Sequence, residues 1–122
     1  MRHPTKAAVE KFTELLGLRV EPHLQDWEIE CADPSRVEEF IAAYHDHASD
    51  DDERFTLMAL ILGSYEEYHS LSPPDPGAWE KIKTILVADR KIHDDHISYY
   101  QCLDVPGQQG MFPITNLMRE LD

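Results

Sequence analysis

A chain of 122 residues with 42% hydrophobic side chains has the length of one domain and is too apolar to stay disordered. Its 24 carboxylates against 11 Lys and Arg give a formal charge of −13, which repels nucleic acid phosphates and anionic lipid. The longest apolar run, 57–62, is far short of the roughly 20 residues that span a bilayer, and residues 1–6 contain no apolar signal core. A single acidic cytoplasmic domain, 1–122, is expected.

The first helix is predicted over 4–16. Ala8, Phe12, Leu15 and Leu16 fall on one face, Pro4 suits the first helical position, and Gly17 suits the residue past the end. Pro22 breaks any continuation. Trp27 and Ile29 read as anchors for an irregular connection, in which a strand would have no partner.

Asp33-Pro34 opens the second helix, with Asp33 as cap and Pro34 lacking an N–H to leave unsatisfied. Val37, Phe40, Ile41 and Tyr44 follow the i, i+3, i+4, i+7 spacing of a core-facing stripe. The run 49–53 then places Asp50, Asp51, Asp52 and Glu53 at the positive end of a third helix, 52–69. From Phe55 to Leu62 that helix is apolar on nearly every side, the pattern of a helix surrounded by others.

The Ser72-Pro73-Pro74-Asp75-Pro76-Gly77 stretch is the strongest break in the chain and reads as a loop between helices. A fourth helix carries Trp79, Ile82, Ile85 and Leu86 on one face. A fifth, 89–103, carries Ile92, His96, Ile97 and Tyr100, with Asp89 as the cap that separates the two. A short last helix, 114–121, uses Leu117, Met118 and Leu121, and Phe112 docks this tail on the core. The fold class is therefore all-α, with five or six helices in antiparallel hairpins, as a bundle or a short superhelix. The Asp-Pro start occurs twice, but the residues between do not repeat.

Sites for chemistry are few. His93 and His96 are spaced i, i+3 and share a helix face, so a metal could bridge them if another element supplied a carboxylate. A core-edge position for His96, with Asp94 and Asp95 in solvent, accounts for the same residues. His45-Asp46-His47 diverges around the helix and suits a helix end. The 50–53 cluster lacks the alternating spacing and central glycine of a calcium loop. Ser64 lies mid-helix rather than on a strand-to-helix turn, and the five glycines form no phosphate-cradling loop. Cys31 and Cys102, far apart in a chain without a leader, are expected as two buried thiols. No catalytic group, cofactor or metal is called for.

The charge distribution carries more. Residues 21–75 hold fifteen carboxylates against only Arg36 and Arg54, which is the whole imbalance; the flanks are neutral. Such a segment speeds encounter with a basic protein. The contributors expected at the surface are Asp50, Asp51, Asp52 and Glu53 at the turn and Glu66 and Glu67 on the third helix, extended by Glu38 and Glu39.

Asp26-Trp27-Glu28, Asp33 with Arg36-Val37-Glu38-Glu39-Phe40-Ile41, Glu53-Arg54-Phe55-Thr56-Leu57-Met58, Trp79, His93 and Ile97-Ser98-Tyr99-Tyr100 form a pattern spread over about two-thirds of the chain. The pattern resembles bacterial immunity proteins of polymorphic toxin systems, of the contact-dependent inhibition and Rhs types. The resemblance implies a small cytosolic protein that neutralises a toxin domain by direct binding, a basic nuclease domain being one such partner. It transfers no functional residue by motif. The alternatives are a helical adaptor or regulatory protein without a toxin partner, and a His/Asp metal-binding protein.

Overall fold

The computed structural model describes residues 3–18, 27, 31–71, 76–101 and 114–121, with the side chains at 67–71, 76 and 116 outside that description. The described residues form helices and no strand: α1 (Lys6–Leu16), a 3-10 turn (Pro34–Arg36), α2 (Val37–His47), α3 (Asp51–Leu71), α4 (Pro76–Ala88), α5 (Arg90–Gln101) and α6 (Thr115–Arg119). The all-α fold expected from the periodicity is the fold observed.

Capping sets the boundaries. Thr5, not Pro4, starts α1: its hydroxyl accepts the Ala8 N–H, so the helix begins at Lys6 and Pro4 precedes the cap. At the other end Gly17 is left-handed (φ 62), and Leu18 N–H returns to Thr13 C=O at 2.9 Å while Gly17 N–H returns to Glu14 C=O. The buried arc of α1 holds Ala8 and Phe12, with Val9 and Leu16 packed beside them. Leu15 lies outside this arc and is 43% exposed, because the arc centres between Phe12 and Leu16.

Asp33 Oδ1 accepts the Ser35 N–H at 3.0 Å, the cap expected before Pro34, but one 3-10 turn intervenes before α2 proper. Val37, Phe40, Ile41 and Tyr44 are all buried, as the stripe predicts. α3 is the centre of the molecule. Every side chain from Phe55 to Leu62 is at most 5% exposed, and α3 packs against α1, the 3-10 turn, α2 and α5. Its buried Thr56 and Ser64 hydroxyls are used as acceptors: Thr56 takes the Thr5 N–H at 3.2 Å and Ser64 takes the Asp33 N–H at 3.0 Å. Ser64 thus pins the 3-10 turn to the core.

α4 runs alongside α2, with Lys81 reaching Glu38 near their starts and Asp89 reaching Tyr44 near their ends. Ala78, Trp79, Ile82, Ile85 and Leu86 are buried. α4 and α5 meet at Asp89 alone, the separation the sequence suggested. Backbone bonding passes through the junction: Asp89 N–H reaches Ile85 C=O, and Asp89 C=O receives both Ile92 and His93 N–H. Across α5 lies α6, held by Arg90 Nη1 to Leu121 C=O (2.6 Å), Arg119 Nε to Gln101 C=O (2.7 Å) and Gln101 Nε2 to Met118 C=O (3.2 Å).

Trp27 is buried and donates its indole N–H to Thr13 Oγ1 at 3.1 Å, so it anchors the connection as expected. The expectations for Pro22, Ile29, residues 72–75, Cys102, Leu103 and Phe112 lie outside the described residues; Cys31 is buried.

Candidate functional site

The turn between α2 and α3 presents the acidic residues in a fixed arrangement. Asp50 caps α3, its Oδ1 accepting the Glu53 N–H at 2.8 Å. Glu53 turns back: one carboxylate oxygen, Oε1, accepts the Ser49 N–H (2.8 Å), the Ser49 hydroxyl (2.7 Å) and Lys11 Nζ (2.8 Å). Lys11 also donates to the His47 carbonyl at 2.8 Å, so α1 grips both sides of the turn. Burial works against the Glu53 charge, but the bonds from Lys11 and Ser49 outweigh it and hold the carboxyl at about 2. Asp50, Asp51 and Asp52 remain exposed on the rim of this scaffold.

The other expected contributors are placed differently. Glu38 and Glu39 are exposed at the start of α2, on the order of 15 Å from the turn at 1.5 Å per helical residue. Each is in an ion pair: Glu38 with Lys81 at 2.7 Å, and Glu39 with Arg36 through two bonds of 2.8 and 2.6 Å. The Arg36 hydrogen bonds lower the Glu39 carboxyl below its ordinary range. Glu66 is half-buried, not on an open face, and burial raises its carboxyl. The Glu67 side chain lies outside the described residues. The carboxylates therefore divide between the turn, where Glu53 serves as the internal brace, and positions at least a helix length away. Asp46 is not among the contributors expected from the sequence. It is exposed, four residues before Asp50, and extends the rim.

Glu53→Gln is expected to cost about 1–2 kcal/mol at neutral pH, by weakening the Lys11 pair and the Ser49 bonds. The sign with pH follows from the depressed folded value. The Glu53 contribution is complete above the ordinary carboxylate range near 4.5 and is lost as pH falls towards 2. Urea denaturation of both proteins across that range checks it: the difference should shrink as the pH falls.

A second polar cluster lies inside the molecule. Tyr44, 4% exposed, places its hydroxyl 2.5 Å from Asp89 Oδ2 and 2.9 Å from His93 Nε2. The one hydroxyl proton goes to the carboxylate, so the tyrosine oxygen accepts from His93 and the Nε2 of that imidazole carries its hydrogen. Burial, with the hydrogen bond and charge of Asp89, pushes the Tyr44 hydroxyl far above its ordinary range and keeps it protonated. His96 donates from Nε2 to the Phe55 carbonyl at 2.9 Å and stacks on the Phe55 ring. Burial pushes His96 down to about 4, so it is neutral at physiological pH.

The core-edge reading of His96 is the position observed, and Asp94 is exposed with Asp95 half-buried. His93, which the sequence left unplaced, is fully buried, more deeply than His96. Each histidine directs Nε2 to a protein partner. Among the described residues no three or more His, Cys, Asp or Glu side chains are grouped to hold a metal ion. Ser64 is equally committed, as the acceptor for Asp33. No described helix is long and apolar enough to cross a membrane. No family model, curated protein or solved structure matches the chain.

Proposed function

We propose that this chain is an acidic cytosolic binding protein that captures a basic partner on the 46–52 turn, in the specific form of a bacterial immunity protein covering a toxin domain. The observation that supports the reading is the braced turn. Asp46, Asp50, Asp51 and Asp52 are exposed around a backbone already fixed by the Asp50 cap, the Glu53 brace and Lys11. A preorganised turn loses little conformational entropy on binding, so its charge is available for recognition at small cost. The same field accelerates encounter with a positively charged surface.

The experiment is a protection assay. On this reading the neighbouring gene encodes a toxin, whose expression arrests cells and whose arrest is relieved by co-expression of this chain. The triple substitution Asp46→Lys, Asp51→Lys, Asp52→Lys leaves the Asp50 cap and the Glu53 brace in place. It should abolish protection while changing folding stability by no more than about 2 kcal/mol, the range of helix-terminus charge effects. Full protection by the triple variant rules out the turn as the interface. Failure of the unsubstituted chain to protect removes the immunity reading itself.

A further inference from the structure

We infer that the α5–α6 unit is an acid-sensitive flap, docked on the α2–α3 hairpin through two buried imidazoles and hinged at Asp89. From α5, His93 bonds to Tyr44 of α2 and His96 bonds to the Phe55 carbonyl of α3, with the two rings 5.6 Å apart. The single-residue junction at Asp89 joins this unit to α4, and Tyr44 holds that junction by its carboxylate. The three bonds from Arg90, Gln101 and Arg119 tie α6 to α5, so the two helices move as one piece. Ile97 and Met118, at most 1% exposed, supply apolar contact that keeps the flap closed at neutral pH.

Adding a proton changes this balance. A charged His96 imidazole inside the interface loses hydration that the opened flap restores. The groups facing the pair do not remove the cost. Tyr44 stands between His93 and the Asp89 carboxylate, and Arg54 and Asp51 on α3 act on Tyr44 with opposite signs. On α5 Asp95 favours the charged form of His96, but burial outweighs it. On α6 Arg119 is committed to the Gln101 carbonyl.

The linkage has a definite sign. With the folded value of His96 lowered to about 4 from 6.5, closure is fully favoured above 6.5 and progressively lost as pH falls towards 4. One such proton multiplies the open population about twentyfold between pH 7 and pH 5.

Hydrogen–deuterium exchange of the full chain at pH 7 and pH 5, corrected for the intrinsic pH dependence of exchange, tests this. Protection in 90–101 and 115–119 should fall about twentyfold at pH 5 while 55–65 keeps its protection. His96→Gln, which retains an N–H donor for the Phe55 carbonyl, should remove most of that pH dependence. An equal loss of protection in 55–65 would mean global acid unfolding, and no loss in α5–α6 would mean no device; either result overturns the inference. If His96→Gln does not fold, the regional comparison in the unsubstituted chain decides alone.

Discussion

Leu60→Asp should leave the protein unfolded at room temperature. Leu60 is 0% exposed in the middle of α3, the helix against which α1, α2 and α5 all pack. Truncating a buried leucine costs about 2–5 kcal/mol by itself, through lost transfer energy and the cavity left behind. The new carboxylate adds a desolvation cost of several kcal/mol unless it takes up a proton, which only exchanges one cost for another. Together these reach the stability of a typical domain, about 5–15 kcal/mol. Far-UV circular dichroism and urea denaturation provide the check. Leu60→Met, which nearly conserves volume, should cost less than about 1.5 kcal/mol and serves as control. A cooperatively folded Leu60→Asp protein would contradict the central place given to α3.

Tyr44→Phe should destabilise by about 2–3 kcal/mol although it removes one oxygen and leaves the ring in place. That oxygen accepts from His93 and donates to Asp89, so its loss takes a partner from a fully buried imidazole and from the carboxylate at the α4–α5 junction. A double-mutant cycle with Asp89→Ala should give a coupling energy above about 1 kcal/mol, since the two groups share one bond. Additive losses would show that the hydroxyl and the carboxylate contribute independently.

How far the sequence revealed this molecule depended on whether a feature was local. The stripe Val37, Phe40, Ile41, Tyr44 and the all-round apolar stretch from Phe55 to Leu62 follow from helical periodicity, and both lie where that periodicity puts them. Asp33-Pro34 and Gly17 are punctuation with a direct backbone cause, and they mark the ends of elements as expected. Thr5 was harder to see, since a proline next to a threonine offers two starts and only the Ala8 bond chooses between them.

The acidic surface was legible as a total and not as a map. Glu53 reads in sequence like its aspartate neighbours, yet Lys11, 42 positions away, makes it a structural brace. Glu38 meets Lys81 across two helices, and neither spacing nor composition announces that pair. The depth of His93 was illegible for the same reason. A histidine between Ile92 and Asp94 is assigned to neither core nor surface until Tyr44, 49 positions earlier, is placed beside it. Long-range pairing assigns such residues, and a single sequence carries little trace of it.

The most direct test of the proposed binding role is the rate at which this chain associates with its partner, on that reading a toxin domain encoded by the neighbouring gene, measured by stopped flow over a range of salt. The unsubstituted protein should associate faster at low ionic strength, with a steep fall as salt screens the turn. The Asp46→Lys, Asp51→Lys, Asp52→Lys variant should associate slowly with a flat salt dependence. A rate indifferent both to salt and to reversal of the turn would contradict the account, and would reduce the acidic segment to a feature that keeps the protein in solution.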